Sequence, residues 1–242
     1  MKDNFEQERA ENIRKLGKRK EIKEASVRWI EDVSKFKYSY NFNWLGMPII
    51  QFPQDIVAIQ EIVWMVKPDL VIETGIARGG SVVFLASILE MIGRGKVLGI
   101  DIEIRPQNRL AIEKHPMSKR IKMIEGSSLD KETISQVEKV VKGKKKVLVI
   151  LDSNHTHEHV IEELNNYSRF VSKGSYLIVL DTIIEDMSEN FFKDRQWGKG
   201  DNPKTAVHEF LKTNHRFQID KDVENKLMVT VAPDGYLKCI KD

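Results

Sequence analysis

The sequence predicts an α/β protein with a Rossmann-like, doubly wound sheet of about seven strands. We expect these strands to be mostly parallel, with an antiparallel C-terminal strand and an N-terminal helical extension. Two observations predict this fold. Short apolar runs alternate with helical patterns between residues 70 and 181, which is typical of a parallel sheet covered by helices. A glycine-rich turn at residues 75–81 follows the first apolar run, where such sheets bind ligands.

Composition narrows the class of protein. The chain has 242 residues, enough for one α/β domain with extensions. Its net charge of +3, from 39 basic and 36 acidic residues, is too balanced to indicate nucleic-acid binding. The single cysteine, Cys239, fits a reducing compartment. The sequence begins without a secretory pattern and has no apolar run of membrane-spanning length, so we expect a cytoplasmic protein without a membrane span.

Residues 1–55 are expected to form a helical arm and an aromatic loop, followed by a cofactor-binding domain over residues 56–242. Gly17 divides the arm into two helices, and the second carries an apolar stripe. The stripe packs on the chain's own domain, packs on another subunit or closes over a site, and packing on another subunit predicts a homo-oligomer. The loop is rich in aromatic residues that can line a substrate pocket or cover the sheet edge: Tyr38, Tyr40, Phe42, Trp44 and Phe52.

The first strand and the glycine turn follow a helix over residues 56–66, for which Asp55 is the expected N-cap. The turn has the spacing Glu-x-Gly-x-x-x-Gly-Gly-Ser, which differs from the Gly-x-Gly-x-x-Gly of dinucleotide-binding folds. Glycine allows a ligand to approach the backbone, and the following helix N-terminus attracts an anion. Glycine is also used in such turns for packing alone.

The second and third strands, over residues 97–100 and 121–125, end at candidate nucleoside-binding residues. Asp101 follows the second strand, where a carboxylate can accept both ribose hydroxyls. The alternative role of Asp101 is to cap the next helix. Ser127 and Ser128 follow the third strand in a small polar loop that can meet a purine ring.

The fourth strand, residues 147–151, is the most apolar and is therefore expected at the centre of the sheet. Asp152 follows it, and Asp181 follows a fifth strand over residues 175–180. The two carboxylates can converge on one divalent cation with oxygen ligands. The alternative is that Asp152 caps a helix and Asp181 holds a loop.

Two histidines follow the central strand. His155 and His159 are four residues apart and would share one face of a helix. Without a third ligand nearby they are a weak metal site, so we expect one histidine to face the ligand and the other to cap or pack.

The C-terminal third contains a long polar segment, residues 185–203, of the kind that forms a lid or a binding loop or is disordered. A helix is predicted over residues 204–211, with its cap near Asn202. Residues 217–219 and 226–231 are expected to close the sheet as a pair of strands.

Together these motifs resemble the class I S-adenosylmethionine-dependent methyltransferases, because the turn that begins at Glu73, then Asp101, the Gly126 loop and Asp152 occur in that family's order. The closer resemblance is to the cephalosporin hydroxylase-like branch and covers about residues 38–235. The stretches that carry it are residues 44–48, 152–155 with His159, 174–179 and 202–206. Several members of this branch are similar to magnesium-dependent sugar O-methyltransferases.

The resemblance implies a role for each matching residue. Asp101 holds the ribose, Ser127 and Ser128 lie near the adenine, and Asp152 and Asp181 are metal ligands. The methionine part of the cofactor is held by Glu73, Gly75 and Ser81. We also count Ala77 and Gly79 of the same turn, and Asp152, among the cofactor-binding residues.

The sequence departs from the family's pattern beside Asp181. Relatives with a well-formed metal site have two acidic or amide groups after the fifth strand, whereas Leu180 and Thr182 flank Asp181 here. A ligand is therefore lost or replaced, with Glu185 or water as the candidates.

The resemblance implies transfer of a methyl group from S-adenosylmethionine to a hydroxyl of a small molecule, such as a sugar or glycoconjugate, with Mg²⁺ as a candidate second cofactor. The methyl sulfonium is already electrophilic, so the protein must align the acceptor and remove its proton. We expect His155 to be the general base, with Asp152 as the second catalytic residue. Two alternatives stay open: a nicotinamide-dependent oxidoreductase or hydroxylase, against which the glycine spacing argues, and a non-catalytic oligomer that binds S-adenosylmethionine, which Leu180 favours.

Overall fold

Five parallel strands form the body of the sheet, and two further strands close it. The computed structural model describes residues 4–242. Residues 1–3 therefore lie outside the described residues; they belong to the predicted arm and to the stretch that we examined for a secretory pattern. The strands are β1 Phe42–Trp44, β2 Met47–Ile49, β3 Leu70–Thr74, β4 Lys96–Asp101, β5 Ile121–Glu125, β6 Val147–Leu151, β7 Tyr176–Val179, β8 Phe217–Ile219 and β9 Tyr236–Cys239.

Helices cover both faces of this sheet. They are α1 Asn4–Gly17, α2 Lys20–Ser34, α3 Pro53–Val66, α4 Gly80–Ile92, α5 Pro106–Lys114, α6 Lys131–Val141, α7 His157–Tyr167, α8 Pro203–Thr213 and α9 Lys221–Leu227. Every residue of β3, β6 and β7 is buried, because these strands have helices on both sides and can therefore be apolar throughout. Among residues 4–242 we find no helix long and apolar enough to cross a membrane.

The strand order of the main sheet is β5-β4-β3-β6-β7-β9-β8. The five strands β3 to β7 are parallel, and β9 runs antiparallel to its neighbours β7 and β8. The predicted fold class is therefore confirmed. The chain moves outward from β3 to β5 and then returns to β6 on the other side of β3, which creates a switch point between β3 and β6. Thr74 lies opposite Leu151 in this pair, so the segments after both strands leave the sheet side by side.

The N-terminal arm packs on its own domain. Helix α1 contacts α9, and Nζ of Lys23 donates to Oδ1 of Asn225 at 3.0 Å. In α2, the ring of Trp29 packs edge-on against Tyr38 and Phe52, with centroid distances of 5.3 and 6.2 Å. Association of the arm with a second subunit stays a prediction. The boundary expected between residues 55 and 56 lies inside the first turn of α3.

Two local predictions are wrong. Asp55 does not cap α3; it lies inside the first turn, fully buried, and accepts hydrogen bonds from the hydroxyls of Thr230 and Tyr236 and from the backbone N–H of Val231. The predicted strand over residues 226–231 is also absent, because β9 occupies the position between β7 and β8. Residues 221–227 form α9 instead, which packs against α1 and α3.

Candidate active site

A cavity of about 680 Å³ opens at the carboxyl ends of the parallel strands. Its floor consists of residues that follow β3, β4, β5 and β6. The other walls come from the segment after α2 and from residues 183–197, which we call the lid segment. Most of the predicted site residues line it: Gly75, Ala77, Asp101, Ser127, Ser128, Asp152, His155, His159 and Asp181. Glu73 and Ser81 line a second, small cavity that shares Gln51 with the first, and Gly79 lines neither.

Gly75 is required by the close approach of two strand ends. Its φ is +81°, and a Cβ at this position would lie 2.0 Å from the carbonyl oxygen of Asp152. Gly79 and Gly80 allow close packing. A Cβ at Gly79 would lie 2.4 Å from Cδ1 of Ile112, and a Cβ at Gly80 would lie 2.2 Å from the carbonyl oxygen of Pro48. The glycines of the turn therefore serve both roles considered for them. Gly75 lies in the cavity wall, where a ligand can approach, and the later glycines allow close packing against neighbouring segments.

Asp101 fixes the shape of the glycine turn. One carboxylate oxygen, Oδ2, accepts hydrogen bonds from the backbone N–H groups of Ile76 and Ala77 at 2.9 and 3.0 Å. The other, Oδ1, accepts from the N–H of Glu103 at 3.3 Å. Asn108, which the sequence did not single out, donates from Nδ2 to the carbonyl oxygen of Ala77 at 3.0 Å. Asp101 thus lines the cavity and ties the ends of β3 and β4 together.

The two histidines after β6 have different surroundings. His159 lies in α7, where its Nε2 is 3.2 Å from Oγ of Ser128 and 3.0 Å from Oγ of Ser153. His155 precedes α7, which begins at His157 with Thr156 as its N-cap, so the predicted shared helix face is wrong. Nε2 of His155 lies 3.2 Å from Oδ2 of Asp181. Both rings line the cavity, but His159 is held in a polar network with two serines, whereas His155 contacts Asp181.

Asp152, His155 and Asp181 form one cluster. Each offers a ligand atom, and these atoms lie within 4.8 Å of one another. Thr156 is the cap of α7, so Asp152 does not serve as one, and Asp181 caps no helix through its side chain. The backbone of Asp181 has a φ of +55°, the left-handed conformation that non-glycine residues seldom adopt outside functional or strained sites.

The carboxyl groups in and behind the floor of the cavity, Asp152 and Glu73, favour a positively charged ligand. Burial raises the pKa of Glu73 to about 8, and the charge of Asp101 adds to the shift. Burial, and next the charges of Asp181 and Glu73, raise the pKa of Asp152 well above its usual range. A cation placed here would reduce the repulsion among these carboxylates.

Gln51 is a site residue that the sequence did not identify. Its Nε2 donates to Oδ2 of Asp152 at 3.3 Å, while its Oε1 is buried and has no hydrogen-bond partner among residues 4–242. Oε2 of Glu73 is buried without a partner in the same part of the chain. Such atoms cost free energy unless a ligand, water or ion satisfies them. Gln51 lies in an irregular segment before α3, where no periodicity marks it.

The donor set of the cluster fits a divalent cation. Asp152 and Asp181 offer carboxylate oxygens, His155 offers an imidazole nitrogen, and the unpartnered Oε1 of Gln51 lines the same cavity. Glu185, one of the two predicted replacements for the metal ligand lost beside Asp181, does not join the cluster. Its Oε2 accepts hydrogen bonds from the N–H of Gly200 at 2.8 Å and from Nδ2 of Asn202 at 2.5 Å.

The segment between Glu185 and α8 closes one side of the cavity. Asn202 caps α8 as predicted, and its Nδ2 also donates to the carbonyl oxygen of Gly198 at 2.8 Å. This turn places the ring of Trp197 edge-on to His155, with centroids 4.9 Å apart. The guanidinium of Arg195 lies 5.4 Å from the centroid of the Trp197 ring. The segment is therefore ordered and forms a wall of the site, which agrees with the lid or binding-loop alternative.

Solved structures of methyltransferases share the fold. The structure of CmcI with Mg-SAM aligns with a TM-score of 0.59 at 16% identity, over 84% of this chain and 78% of that one. An O-methyltransferase from Bacillus cereus in complex with SAH aligns with a TM-score of 0.51 at 14% identity, over 81% of both chains. At this level of identity, the likeness concerns the fold.

Sequence relatives are more specific. Rhamnosyl O-methyltransferases from Mycobacterium bovis and Mycobacterium tuberculosis are 30% identical over 218 residues, which is 86% of this chain and 83% of theirs. The family described as rhamnosyl O-methyltransferase/CmcI matches residues 36–240, which include the whole cavity floor. The resemblance found in the sequence is confirmed, and the chain belongs to the rhamnosyl O-methyltransferase/CmcI family.

Proposed function

We propose that this chain transfers the methyl group of S-adenosylmethionine to a hydroxyl group of a sugar. The observation that carries the proposal is the cluster of Asp152, His155 and Asp181, which shares one cavity with Gly75 and Asp101. Relatives named rhamnosyl O-methyltransferases support a sugar as the acceptor. Family membership also argues against the nicotinamide-dependent alternative.

The cofactor would lie along the ends of β3, β4 and β5. Asp101 would accept the ribose hydroxyls with lone pairs that its bonds to Ile76 and Ala77 leave free, and Ser127 and Ser128 would lie beside the adenine. Glu73 would face the cationic methionine end, where its unpartnered oxygen gains an ionic partner. The acceptor would occupy the remaining space between His155, Trp197 and the segment after α2.

His155 would handle the proton of the acceptor hydroxyl. With Nε2 bonded to Asp181, its Nδ1 is the nitrogen available as a base, and the carboxylate stabilises the imidazolium that forms. As the new bond forms between the acceptor oxygen and the methyl carbon, the bond from that carbon to sulfur breaks and leaves a neutral thioether. The proton moves from the hydroxyl to His155. The wall formed by residues 183–197 would shield the bound cofactor and acceptor from water.

Asp152 and Asp181 would hold a divalent cation beside His155. Such a cation supplies a Lewis acid that lowers the pKa of a bound hydroxyl and orients it. The acidic floor and the unpartnered Oε1 of Gln51 suit this role.

Calorimetry with S-adenosylmethionine and with NAD tests the cofactor assignment. We expect binding of the first and not of the second. Asp101→Ala should weaken S-adenosylmethionine binding by about 1–3 kcal/mol, because charged hydrogen bonds to the ribose and to the glycine turn are lost. Asp130→Ala is a matched control, since Asp130 is exposed, does not line the cavity and makes no side-chain cap bond to α6. Unchanged affinity in Asp101→Ala would place the ribose elsewhere. Binding without turnover on any hydroxylated acceptor would favour the non-catalytic alternative.

A further inference from the structure

The acidic and basic residues of the cavity come from different parts of the fold. The acidic ones, Asp101, Asp152 and Asp181, follow the carboxyl ends of β4, β6 and β7. The basic ones, Lys35, Lys37 and Arg195, come from segments outside the sheet: the first two follow α2, and Arg195 belongs to the lid segment. The positive sulfonium and amino groups of the cofactor account for the acidic floor, whereas the basic residues on the outer walls suit an anionic group.

Two of these cations have no carboxylate partner. Nζ of Lys35 lies 2.8 Å from Oδ1 of Asp32, whereas Lys37 and Arg195 form no ion pair within the described part of the chain. Lys37 also has a φ of +52°, so its side chain leaves a backbone in the left-handed conformation. Both side chains are exposed at the cavity wall and are therefore available to an anion.

The ring of Trp197 contacts both Arg195 and His155, the proposed general base. Its guanidinium is 5.4 Å from the centroid of the Trp197 ring, and that ring is 4.9 Å from the ring of His155. A planar guanidinium can bind a phosphate or a carboxylate with two parallel hydrogen bonds. An anionic group held by Arg195 would therefore lie close to the hydroxyl that His155 deprotonates.

The same walls carry aromatic rings. Trp197, Tyr40, Phe191 and Phe192 line the cavity, and the last two pack against each other with centroids 5.0 Å apart. Aromatic faces suit the C–H face of a sugar ring, while cations at the edge suit a charged substituent of that sugar. The wall thus has the two kinds of group needed to recognise an anionic sugar.

We propose that the acceptor is a sugar with an anionic substituent, a phosphate or a carboxylate, which Lys37 and Arg195 bind while the sugar ring packs on Trp197. This proposal rests on the proposed function and adds the substrate class. It also explains the separation of charge within one cavity, because the cationic cofactor and the anionic acceptor would each face residues of opposite charge.

The test is calorimetry of the full chain saturated with S-adenosylhomocysteine. Three probes are titrated: a neutral methyl glycoside, the corresponding sugar 1-phosphate and a uronic acid. We expect at least one anionic sugar to bind about tenfold or more tightly than the neutral glycoside, and the tighter of the two identifies the substituent. This advantage should shrink when NaCl is raised, because exposed charge pairs are screened.

Substitutions assign the preference to residues. Lys37→Gln and Arg195→Gln should each reduce the ratio of affinities for the anionic sugar and the neutral glycoside about threefold or more. Affinity for the neutral glycoside and for S-adenosylhomocysteine should stay unchanged. Lys199→Gln is the matched control, since Lys199 is exposed near Arg195 in sequence but does not line the cavity. Trp197→Ala should weaken all three sugars, because it removes the surface for the ring.

Equal binding of neutral and anionic sugars, with no effect of Lys37→Gln or Arg195→Gln, would overturn the proposal. Methyl transfer to the neutral glycoside is measured on the same protein. If that transfer is observed, the proposed function stands while the anionic acceptor is rejected. If the chain binds neither S-adenosylmethionine nor S-adenosylhomocysteine, the proposed function itself fails.

Discussion

Nε2 of His155 and Oδ2 of Asp181 lie 3.2 Å apart, although the two residues follow different strands of the sheet. Strands β6 and β7 are parallel neighbours, so the segments after them meet at one edge. The pair links the predicted base to a predicted metal ligand. It holds the ring of His155 in a fixed orientation at the cavity wall.

His155→Gln should lower kcat by about 10²–10⁴-fold, because general bases contribute that much to proton transfer. Affinity for S-adenosylmethionine should stay unchanged, since the side chain acts on the acceptor. Asp181→Asn should also lower kcat without affecting cofactor affinity. Steady-state kinetics and calorimetry measure both quantities. His208→Gln is the control, because His208 pairs with Asp234 outside the cavity. Normal turnover of His155→Gln would remove it from the mechanism.

Turnover should fall when a chelator is added and return when Mg²⁺ or Mn²⁺ is supplied, because Asp152 and Asp181 can hold a hard cation. Quenching of tryptophan fluorescence by Mn²⁺ gives a readout independent of turnover, since Trp197 lies against His155. Asp152→Asn should weaken this quenching, whereas Asp130→Asn should not. Full activity in chelator, with Asp152→Asn behaving like the wild type, would leave His155 to handle the proton without a metal.

Gly75→Ala should be more destabilising than Gly174→Ala. Both glycines have positive φ, +81° and +77°, so both substitutions carry the backbone cost of about 1–2 kcal/mol. Only at Gly75 would the new Cβ meet backbone, at 2.0 Å from the carbonyl oxygen of Asp152, while nothing lies within 4 Å at Gly174. Urea unfolding measures the difference. Equal losses of unfolding free energy would show that the ends of β3 and β6 can separate without cost.

The buried carboxyl of Asp55 should make stability depend on pH. Burial raises its pKa from 3.8 to about 6, although bonds from Thr230, Val231 and Tyr236 oppose the shift. Between pH 4 and pH 6 the Asp55 carboxyl is protonated more fully in the folded state than in the unfolded state. The free energy of unfolding therefore falls as pH rises through this range. The shift of about two units corresponds to about 3 kcal/mol.

Asp55→Asn has no titrating group at this position, so it should lack this part of the pH dependence. The difference in unfolding free energy between wild type and Asp55→Asn, measured at pH 4 and at pH 7, isolates the contribution of Asp55. Parallel stability curves for the two proteins would show that Asp55 keeps an ordinary pKa.

The elements that the sequence predicted correctly depend on local patterns. The uniform apolar run of β6 identifies it as a central strand, and Asp152 after this run lies at the floor of the cavity, as predicted. Parallel strands place their carboxyl ends at one edge, so the approach of Asp152 and Asp181 follows from the fold class. The capping of α8 by Asn202 is equally local, because the bond spans three residues.

The features that the sequence did not reveal depend on contacts between distant segments. Gln51 reaches Asp152 from a loop before α3, and Asp55 binds Thr230 and Tyr236 near the end of the chain. No periodicity encodes such partners. The strand predicted over residues 226–231 failed for a similar reason, since the backbone N–H of Val231 donates to Asp55 and its carbonyl oxygen accepts from the N–H of Ile183 rather than pairing with a neighbouring strand.

Methyl transfer to a sugar hydroxyl tests the central claim most directly. The purified chain is incubated with S-adenosylmethionine labelled in its methyl group, Mg²⁺ and a panel of neutral and anionic sugars, and the products are analysed by mass spectrometry. We predict a singly O-methylated sugar, formed together with an equal amount of S-adenosylhomocysteine and lost in His155→Gln. Binding of S-adenosylmethionine without labelled sugar from any acceptor, or label on nitrogen or carbon instead of oxygen, would contradict the account.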